Sequence, residues 1–440
     1  MIKDKFYSEK WTPWIVLLLR LIVGSVFVFS GFVKAIDPWG LLYKLGDYTA
    51  ALGLDWLSPF LLFGAFAISI VEFVLGVCLV MGAYRRFTVW LSFFIMLVMT
   101  ALTGWLAYTG AVPDCGCFGD AIVMSNEATF VKNVLLLLAV IYLLRYNVRL
   151  FNVYSHDVQW MVTMSTSVYV ILVACTGYFS QPMIDFRPFK VGTSLLKIDS
   201  SDVEDETSDY LFVYENNGEL KEFTAENVPA EEDSAWTFVE RKQLKKATAK
   251  KITDLTLMLD GEDVTQDVIK TEGEQLIFVY SQMNDIGISY TYLINILEDF
   301  ARKNGADVIG VTDASAEDIA NWVDVSMTTY PIYSCDGTVL KMLARGNPAV
   351  VYAKDGVIEW KRTLQSIDAA RVEEALNGGG GFAWIASDYN GAMRLNVLTV
   401  GYIILLVMIL ILNRSYRVFK FSSRLIDKNK NKNVTLQNEK

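Results

Sequence analysis

Apolar residues along the chain gather in six long runs separated by polar stretches. These are Trp14 to Val33, Phe60 to Ala83, Phe87 to Tyr108, Phe130 to Leu144, Trp160 to Phe179 and Leu395 to Leu412. A helix needs roughly 20 apolar residues to cross a bilayer, so each run is predicted to span a membrane. The first is too long for the core of a secretion signal and no small-residue cleavage pattern follows it, so it is read as retained. Short loops rich in Lys and Arg resist translocation. Lys3, Lys5 and Lys10 precede the first span, Arg85 and Arg86 lie between the second and third, and Arg145 and Arg149 follow the fourth. Arg414, Arg417, Lys420 and Arg424 follow the sixth. With six spans all of these fall on one side. Both termini are therefore expected in the cytoplasm, and the loop at residue 115 and residues 180–394 outside. In a cell with two membranes that means the inner membrane and the periplasm.

Outside the spans the period of the pattern changes. Residues 1–150 are expected to form an antiparallel four-helix transmembrane domain, and 151–180 a fifth membrane helix. Residues 181–250 read as a small β-rich segment, with Asn-Asn-Gly in LFVYENNGELKEF as a hairpin signal. From 251 to 377 strands alternate with helices. QLIFVYS is a buried strand, YTYLINILEDFARKNG an amphipathic helix closed by Gly305, and ADVIGVTD a second strand. SAEDIANWV is helical, and NPAVVYAKDGVIEWKR is a hairpin turning at Lys-Asp-Gly. This order, with a proline before the closing hairpin, resembles the thioredoxin-like fold in its peroxiredoxin and TlpA branches. The resemblance implies that Pro348 is a cis-proline beside a groove that binds extended substrate. The redox cysteines of that fold are missing, since the chain reads Ser281-Gln282-Met283-Asn284-Asp285 in their place. Residues 378–394 are read as a glycine-rich flexible linker, with Phe382 and Trp384 at the membrane surface. Residues 395–413 are the sixth span and 414–440 a basic cytoplasmic tail without regular structure.

The formal charge of −10 is concentrated in the exported part, in SSDVEDETSD and AEEDSAW, which argues against nucleic-acid binding. Five cysteines do not make a disulfide scaffold. Cys78 and Cys175 lie within spans, where a thiol serves as a small apolar filler. Cys335 stands alone, either inert or able to resolve a mixed disulfide. Only Cys115-Gly116-Cys117 is a local pair, and it is expected to face an oxidising compartment.

That pair has three readings. A zinc site wants about four nitrogen or sulfur ligands, and the single histidine, His156, is expected on the opposite side, so no metal is assigned. A structural disulfide across one residue would close too small a loop to gain much chain entropy. Its cramped geometry would also make it readily exchanged, which favours a redox role. Against that role, Asp114 and Asp120 disfavour a nearby thiolate and no cation is adjacent in sequence. Cys117 is taken as the less hindered sulfur.

Polar positions inside the spans complete the picture. Arg20, Gly24, Phe27, Gly31 and Lys34 share one face of the first span, and Ser69, Glu72 and Gly76 one face of the second. At about 1.5 Å per residue, Arg20 is roughly 9 Å deep and Glu72 roughly 16 Å, a gap that long side chains bridge. Such a pair either fixes helix register or lines a site for a polar head group. RLIVGSVFVFSGFVKAIDP, VEFVLGVCLVMGAYRR and DCGCFG resemble the DoxX/MauE group of membrane proteins over residues 14–145. Arg20, Gly31, Lys34, Glu72 and Gly82 fall on its polar and glycine positions, and Cys115 and Cys117 on the cysteine pair of its MauE side. The DoxX resemblance implies quinone-linked oxidation of sulfur compounds, and the MauE resemblance a part in disulfide formation in exported proteins.

The expected architecture is therefore an α-helical membrane bundle, a DoxX/MauE-like four-helix core plus two further transmembrane helices, bearing a periplasmic α/β thioredoxin-like domain. The expected activity is thiol–disulfide exchange with exported thiol proteins through Cys115 and Cys117, linked to a quinone near Arg20, Lys34 and Glu72. Pro348 would hold the substrate. The alternative is a non-enzymatic, membrane-anchored assembly or scaffold factor that binds an exported client through the degenerate domain.

Overall fold

A computed structural model describes residues 12–112, 114–146, 152–196, 210–216, 219–224, 237–243, 254–387 and 390–438. Lys3, Lys5, Lys10, Arg149 and most of the two acidic stretches lie outside them. The membrane part contains α1 (Thr12–Ile36), α2 (Pro38–Ala51), α3 (Leu61–Met81), α4 (Arg85–Thr109), α5 (Asn126–Tyr146) and α6 (Gln159–Phe179). Among the described residues six helices are long and apolar enough to cross a membrane, the last within Phe382–Val418; five of the expected runs lie inside one of them, and the second, Phe60 to Ala83, overruns its helix, which ends at Met81. The protein is a multi-pass membrane protein. A separate mixed-sheet domain follows α6.

Glycines set the tightest crossing. On α1, a Cβ at Gly31 would overlap the Phe73 backbone nitrogen, and one at Gly76 of α3 would overlap that of Val28. The two backbones therefore touch, as small residues allow in lipid. α4 pairs with α5, while α6 packs on α1 and α3 through Tyr169, Val173 and Ala174. The fifth span is thus part of the bundle. At the end away from residue 115, Tyr84 N donates to the Gln159 side chain at 3.0 Å and Val153 N to the Met81 carbonyl at 3.1 Å. His156 stacks edge-on against Tyr84 there.

α2 has no counterpart in the expected scheme. Asp37 caps it by accepting from Gly40 N at 2.9 Å, and Pro38 occupies the first turn, where its missing N–H costs nothing. The apolar count of this stretch is too low to mark a span and too short to mark a domain, so it passes for a loop.

Beyond α6 the chain forms two sheets. The first holds β1 (Tyr210–Asn216), β2 (Glu219–Thr224) and β3 (Thr237–Gln243) in the order β2-β1-β3. The second is built from β4 (Met258–Leu259), β5 (Glu262–Asp263), α7 (Thr265–Val268), β6 (Glu274–Tyr280), α8 (Thr291–Lys303), β7 (Asp307–Thr312), α9 (Ala316–Ser326) and β8 (Ile332–Ser334). It continues through α10 (Gly337–Leu343), β9 (Ala349–Lys354), β10 (Val357–Thr363), α11 (Ala369–Glu374) and α12 (Phe382–Ala386). Its strand order is β10-β9-β6-β7-β8-β4-β5, with β6, β7 and β8 parallel and β9 and β10 antiparallel. Alternate residues of β6 serve opposite faces: Leu276, Phe278 and Tyr280 pack with α8, and Ile277 and Val279 with α10. The Asn347–Pro348 peptide is cis.

The C-terminal connection differs from the expected loose linker. Phe382 is buried, stacks on Tyr352 at 4.3 Å and meets Phe300 edge-on at 4.9 Å. Trp384 lies under the Arg371 guanidinium at 4.4 Å. A Cβ at Gly380 would stand 2.6 Å from the Trp384 side chain and one at Gly379 2.7 Å from Glu374, so these two glycines serve close packing. Phe382 belongs to the core of the extramembrane domain, while Trp384 stays part-exposed against Arg371 on its surface. The final helix, α13 (Gly391–Asn438), runs on through the tail expected to lack regular structure. A helix already nucleated within a span propagates at one hydrogen bond per added residue.

Candidate functional site

The dithiol loop is irregular backbone that is largely buried, so its carbonyls need partners. Tyr48 Oη, from α2, donates to the Cys115 carbonyl. Ser30 Oγ, from α1, lies 2.7 Å from the Cys117 carbonyl, and Asn126 Nδ2, from α5, donates to the Val112 carbonyl at 2.8 Å. Gly116 takes φ +58°, and a Cβ there would press on the Lys44 side chain at 3.1 Å, which explains a glycine between the cysteines.

The two sulfurs lie 2.7 Å apart as hydrogen-bonded free thiols. That hydrogen bond brings the Cys115 thiol down to about 6, against the pull of burial and with help from Thr129 and Lys132. The same pairing, with burial, pushes Cys117 up. The pairing therefore favours one thiolate, on the Cys115 side, over two. The expectation that Cys117 is the less hindered sulfur does not hold, since both are 8% exposed. The nearby carboxylates are spoken for as well: Asp114 pairs with Lys44, and Asp120 with Arg345 at 2.7 Å. With the thiol lowered, reaction of Cys115 with a neutral maleimide should show a midpoint near pH 6. Its rate should stay flat from there to the range where an ordinary thiol, at about 8.5, is still gaining thiolate. A midpoint above 8 by mass-spectrometric labelling would contradict the assignment.

Beneath the loop the bundle holds a narrow cleft. Phe27, Met96, Met99 and Phe118 give it apolar walls, and Ser30, Glu72, Cys117, Lys132 and Asn133 give it polar atoms. Glu72 binds Lys34 Nζ through both oxygens, at 2.7 and 2.8 Å, and Ser30 Oγ at 2.8 Å. The Ser30 hydroxyl thus sits between Glu72 and the Cys117 carbonyl and has one proton for two acceptors. Lys34 also lines an upper cleft of about 470 Å³, shared with Asp37, Lys44, Gly116, Asp120 and Arg187. The Lys34–Glu72 pair is the partition between the two spaces.

Of the residues singled out from sequence, Cys115, Cys117, Lys34 and Glu72 come together. Arg20 does not. Its guanidinium donates to the Val80 carbonyl at 3.1 Å, two turns beyond Glu72, or about 12 Å along α3. Lys34 takes the place expected for it because α1 and α3 run antiparallel, which brings the outer end of α1 level with Glu72. Pro348 is buried, and the residues before it are covered by the membrane domain. Arg345 binds Asp37 at 2.7 Å, and Lys341 lies over the Tyr43 ring at 5.0 Å. Asn347 closes on the Ser281–Asp285 segment, its Nδ2 donating to the Gln282 carbonyl at 2.6 Å. Cys335 is buried, and its thiol is pushed up to about 12 by that burial and by Asp336, as expected of an inert thiol. Among the described residues no group of three His, Cys, Asp or Glu could hold a metal ion.

Sequence reasoning passed over Ser30, Tyr48, Thr129, Lys132 and Arg345. Lys132 carried a visible signal, a lysine in the opening turns of a span, and Ser30 stands one turn from Lys34. For Arg345 there was none, because its partners lie 225 and 308 residues away.

Residues 12–146 match the family model described as methylamine utilisation protein MauE, and residues 208–246 match a domain of unknown function (DUF8463). No curated protein and no solved structure matches the chain.

Proposed function

We propose that this protein is a quinone-linked thiol–disulfide oxidoreductase of the inner membrane, exchanging electrons with exported thiols through Cys115 and Cys117. One observation carries the reading: Cys117, hydrogen-bonded to Cys115, lines the same intramembrane cleft as Glu72. The MauE match over the bundle supports it. The basic residues at one end of the spans support cytoplasmic termini and a periplasmic domain. The β-α-β order supports a thioredoxin-like identity for that domain.

A flat ring bearing two carbonyl oxygens would enter the lower cleft only if it widens, with Phe27, Met96 and Met99 as apolar surfaces and Lys132 and Asn133 as donors. Bound there, a quinone would accept two electrons and two protons, one proton from the dithiol and the other from water. Oxidation of the pair forms one Sγ–Sγ bond and releases two electrons and the proton held by Cys117. Glu72, reached through Ser30, is the group placed to take that proton. On the outer side, a substrate thiolate attacks one sulfur of the oxidised pair, and a second substrate thiol displaces that sulfur, giving up its proton to the pair. The substrate gains a disulfide, and the pair returns to thiol and thiolate.

The test is the full-length protein in lipid nanodiscs, reduced and then given a short-chain quinone. Two loop thiols should disappear for each quinol formed. Cys115→Ser and Cys117→Ser should abolish this, and Glu72→Gln should slow it by about 10²-fold or more if it carries the proton. An unchanged thiol count after quinone addition sinks the reading.

A non-enzymatic assembly factor is the second reading, favoured by the absence of cysteine from Ser281–Asp285. It predicts full cellular function for a Cys115→Ser/Cys117→Ser variant.

A further inference from the structure

α2 lies between two things that do not otherwise need it. One side covers the dithiol: Lys44 pairs with Asp114 and presses on Gly116, and Tyr48 holds the Cys115 carbonyl. With Leu45, these residues form one wall around the two cysteines, each of which is 8% exposed as a residue, and Met99, Leu102, Trp105 and Leu106 of α4 form another. The other side receives the extramembrane domain. Arg345 Nε donates to both Asp37 oxygens, at 3.0 and 2.9 Å, and Nη2 donates to Asp37 and to Asp120, each at 2.7 Å.

Arg345 is itself held in place. Its Nη1 donates to the Lys341 carbonyl at 2.6 Å, its N–H to Gln181 Oε1 at 3.0 Å, and its carbonyl accepts from Gln181 Nε2 at 2.6 Å. The residue that leads into the Asn347–Pro348 turn thus binds the membrane domain at both ends of the dithiol enclosure. Asp37 is the N-cap of α2, and Asp120 closes the turn after Cys117.

We propose that α2 is a lid over the dithiol and that Arg345, from the separate domain, latches it by binding Asp37 and Asp120. With the latch engaged, a substrate protein cannot reach the sulfurs from the outer side. When the domain lifts, the lid end at Asp37 and the dithiol loop at Asp120 are freed together, and the surface before Pro348 is uncovered in the same movement. A partner that binds that surface therefore opens the dithiol. Arg345 acts as a positioning residue, and the functional consequence rests on the dithiol being the reacting pair.

Access can be measured without turnover. Reduced full-length protein in nanodiscs is pulsed with N-ethylmaleimide, and labelling of the Cys115–Cys117 peptide and of Cys335 is followed by mass spectrometry. Arg345→Met should raise the loop labelling rate about tenfold or more, the scale set by losing charge-assisted hydrogen bonds that oppose local opening. Asp37→Asn/Asp120→Asn should act in the same direction while leaving an effective N-cap on α2. Arg345→Lys should fall between Arg345→Met and the parent, because it keeps the charge but loses the fork. Cys335, buried in the domain core, reports unfolding and should stay protected in all of them.

Unchanged loop labelling in both the Arg345→Met and the double aspartate variant overturns the lid, and so does acceleration in both that Cys335 shares. The redox reading stands or falls separately. A dithiol that never reduces a quinone still gives the rate difference, and one that turns over with unaltered labelling loses only the latch.

Discussion

Lys34→Met is expected to destabilise the bundle by about 3–5 kcal/mol, the cost of leaving a buried carboxylate without its counter-charge. Both oxygens of Glu72 receive Lys34 Nζ, and the two side chains are 3% and 7% exposed, so water does not make up the loss. Lys34→Met/Glu72→Leu should recover most of that loss, since two apolar side chains of similar volume need no mutual compensation. The comparison also separates structure from chemistry. If Glu72 carries the dithiol proton, the double variant melts near the parent temperature yet stays slow toward quinone. Thermal unfolding in mild detergent, followed by tryptophan fluorescence, reads the first effect. Equal melting of Lys34→Met and the parent would show that the pair is not buried as described.

The second large effect lies at the α1–α3 crossing. Gly31→Leu places a side chain where Phe73 backbone and Cβ atoms already stand, and neither helix can yield without moving its neighbours. Overpacking a core costs about 1–3 kcal/mol when side chains can adjust, and more is expected here because backbone is in the way. Gly31→Ala should also destabilise, which distinguishes a contact limit from a loss of flexibility. Gly401→Ala is the control. It lies in a helix with nothing near the added carbon, so helix propensity alone predicts a change of about 0.5–1 kcal/mol in the stabilising direction. A Gly31→Ala protein as stable as Gly401→Ala would contradict the close approach.

The dithiol shows how far local pattern reaches. That Cys115 and Cys117 face each other could be read from the spacing, because one intervening glycine leaves the sulfurs few other options. Their protonation could not. Sequence neighbours offered two carboxylates, Asp114 and Asp120, and the inference was a poor thiolate. In the folded protein both are paired to cations from elsewhere, and the largest influence on Cys115 is Cys117 itself. The intramembrane charges give the same lesson. Depth along a helix suggested that Arg20 and Glu72 meet, but the meeting also needs the right rotation and direction of both helices, and Lys34 satisfies them.

Span number and the main strands and helices of the extramembrane domain, from QLIFVYS to the closing hairpin, follow from composition and period alone. Lipid demands an unbroken apolar run, and a sheet between two cores demands alternating apolar strands; both constraints act on consecutive residues. Which charges meet, why a polar stretch after the first span is a helix over the dithiol, and why Arg345 reaches Asp37 depend on segments up to 308 positions apart. No consecutive pattern encodes those contacts. They arise when rotation, depth and docking angle are fixed together, as buried charges find the partners that packing leaves within reach.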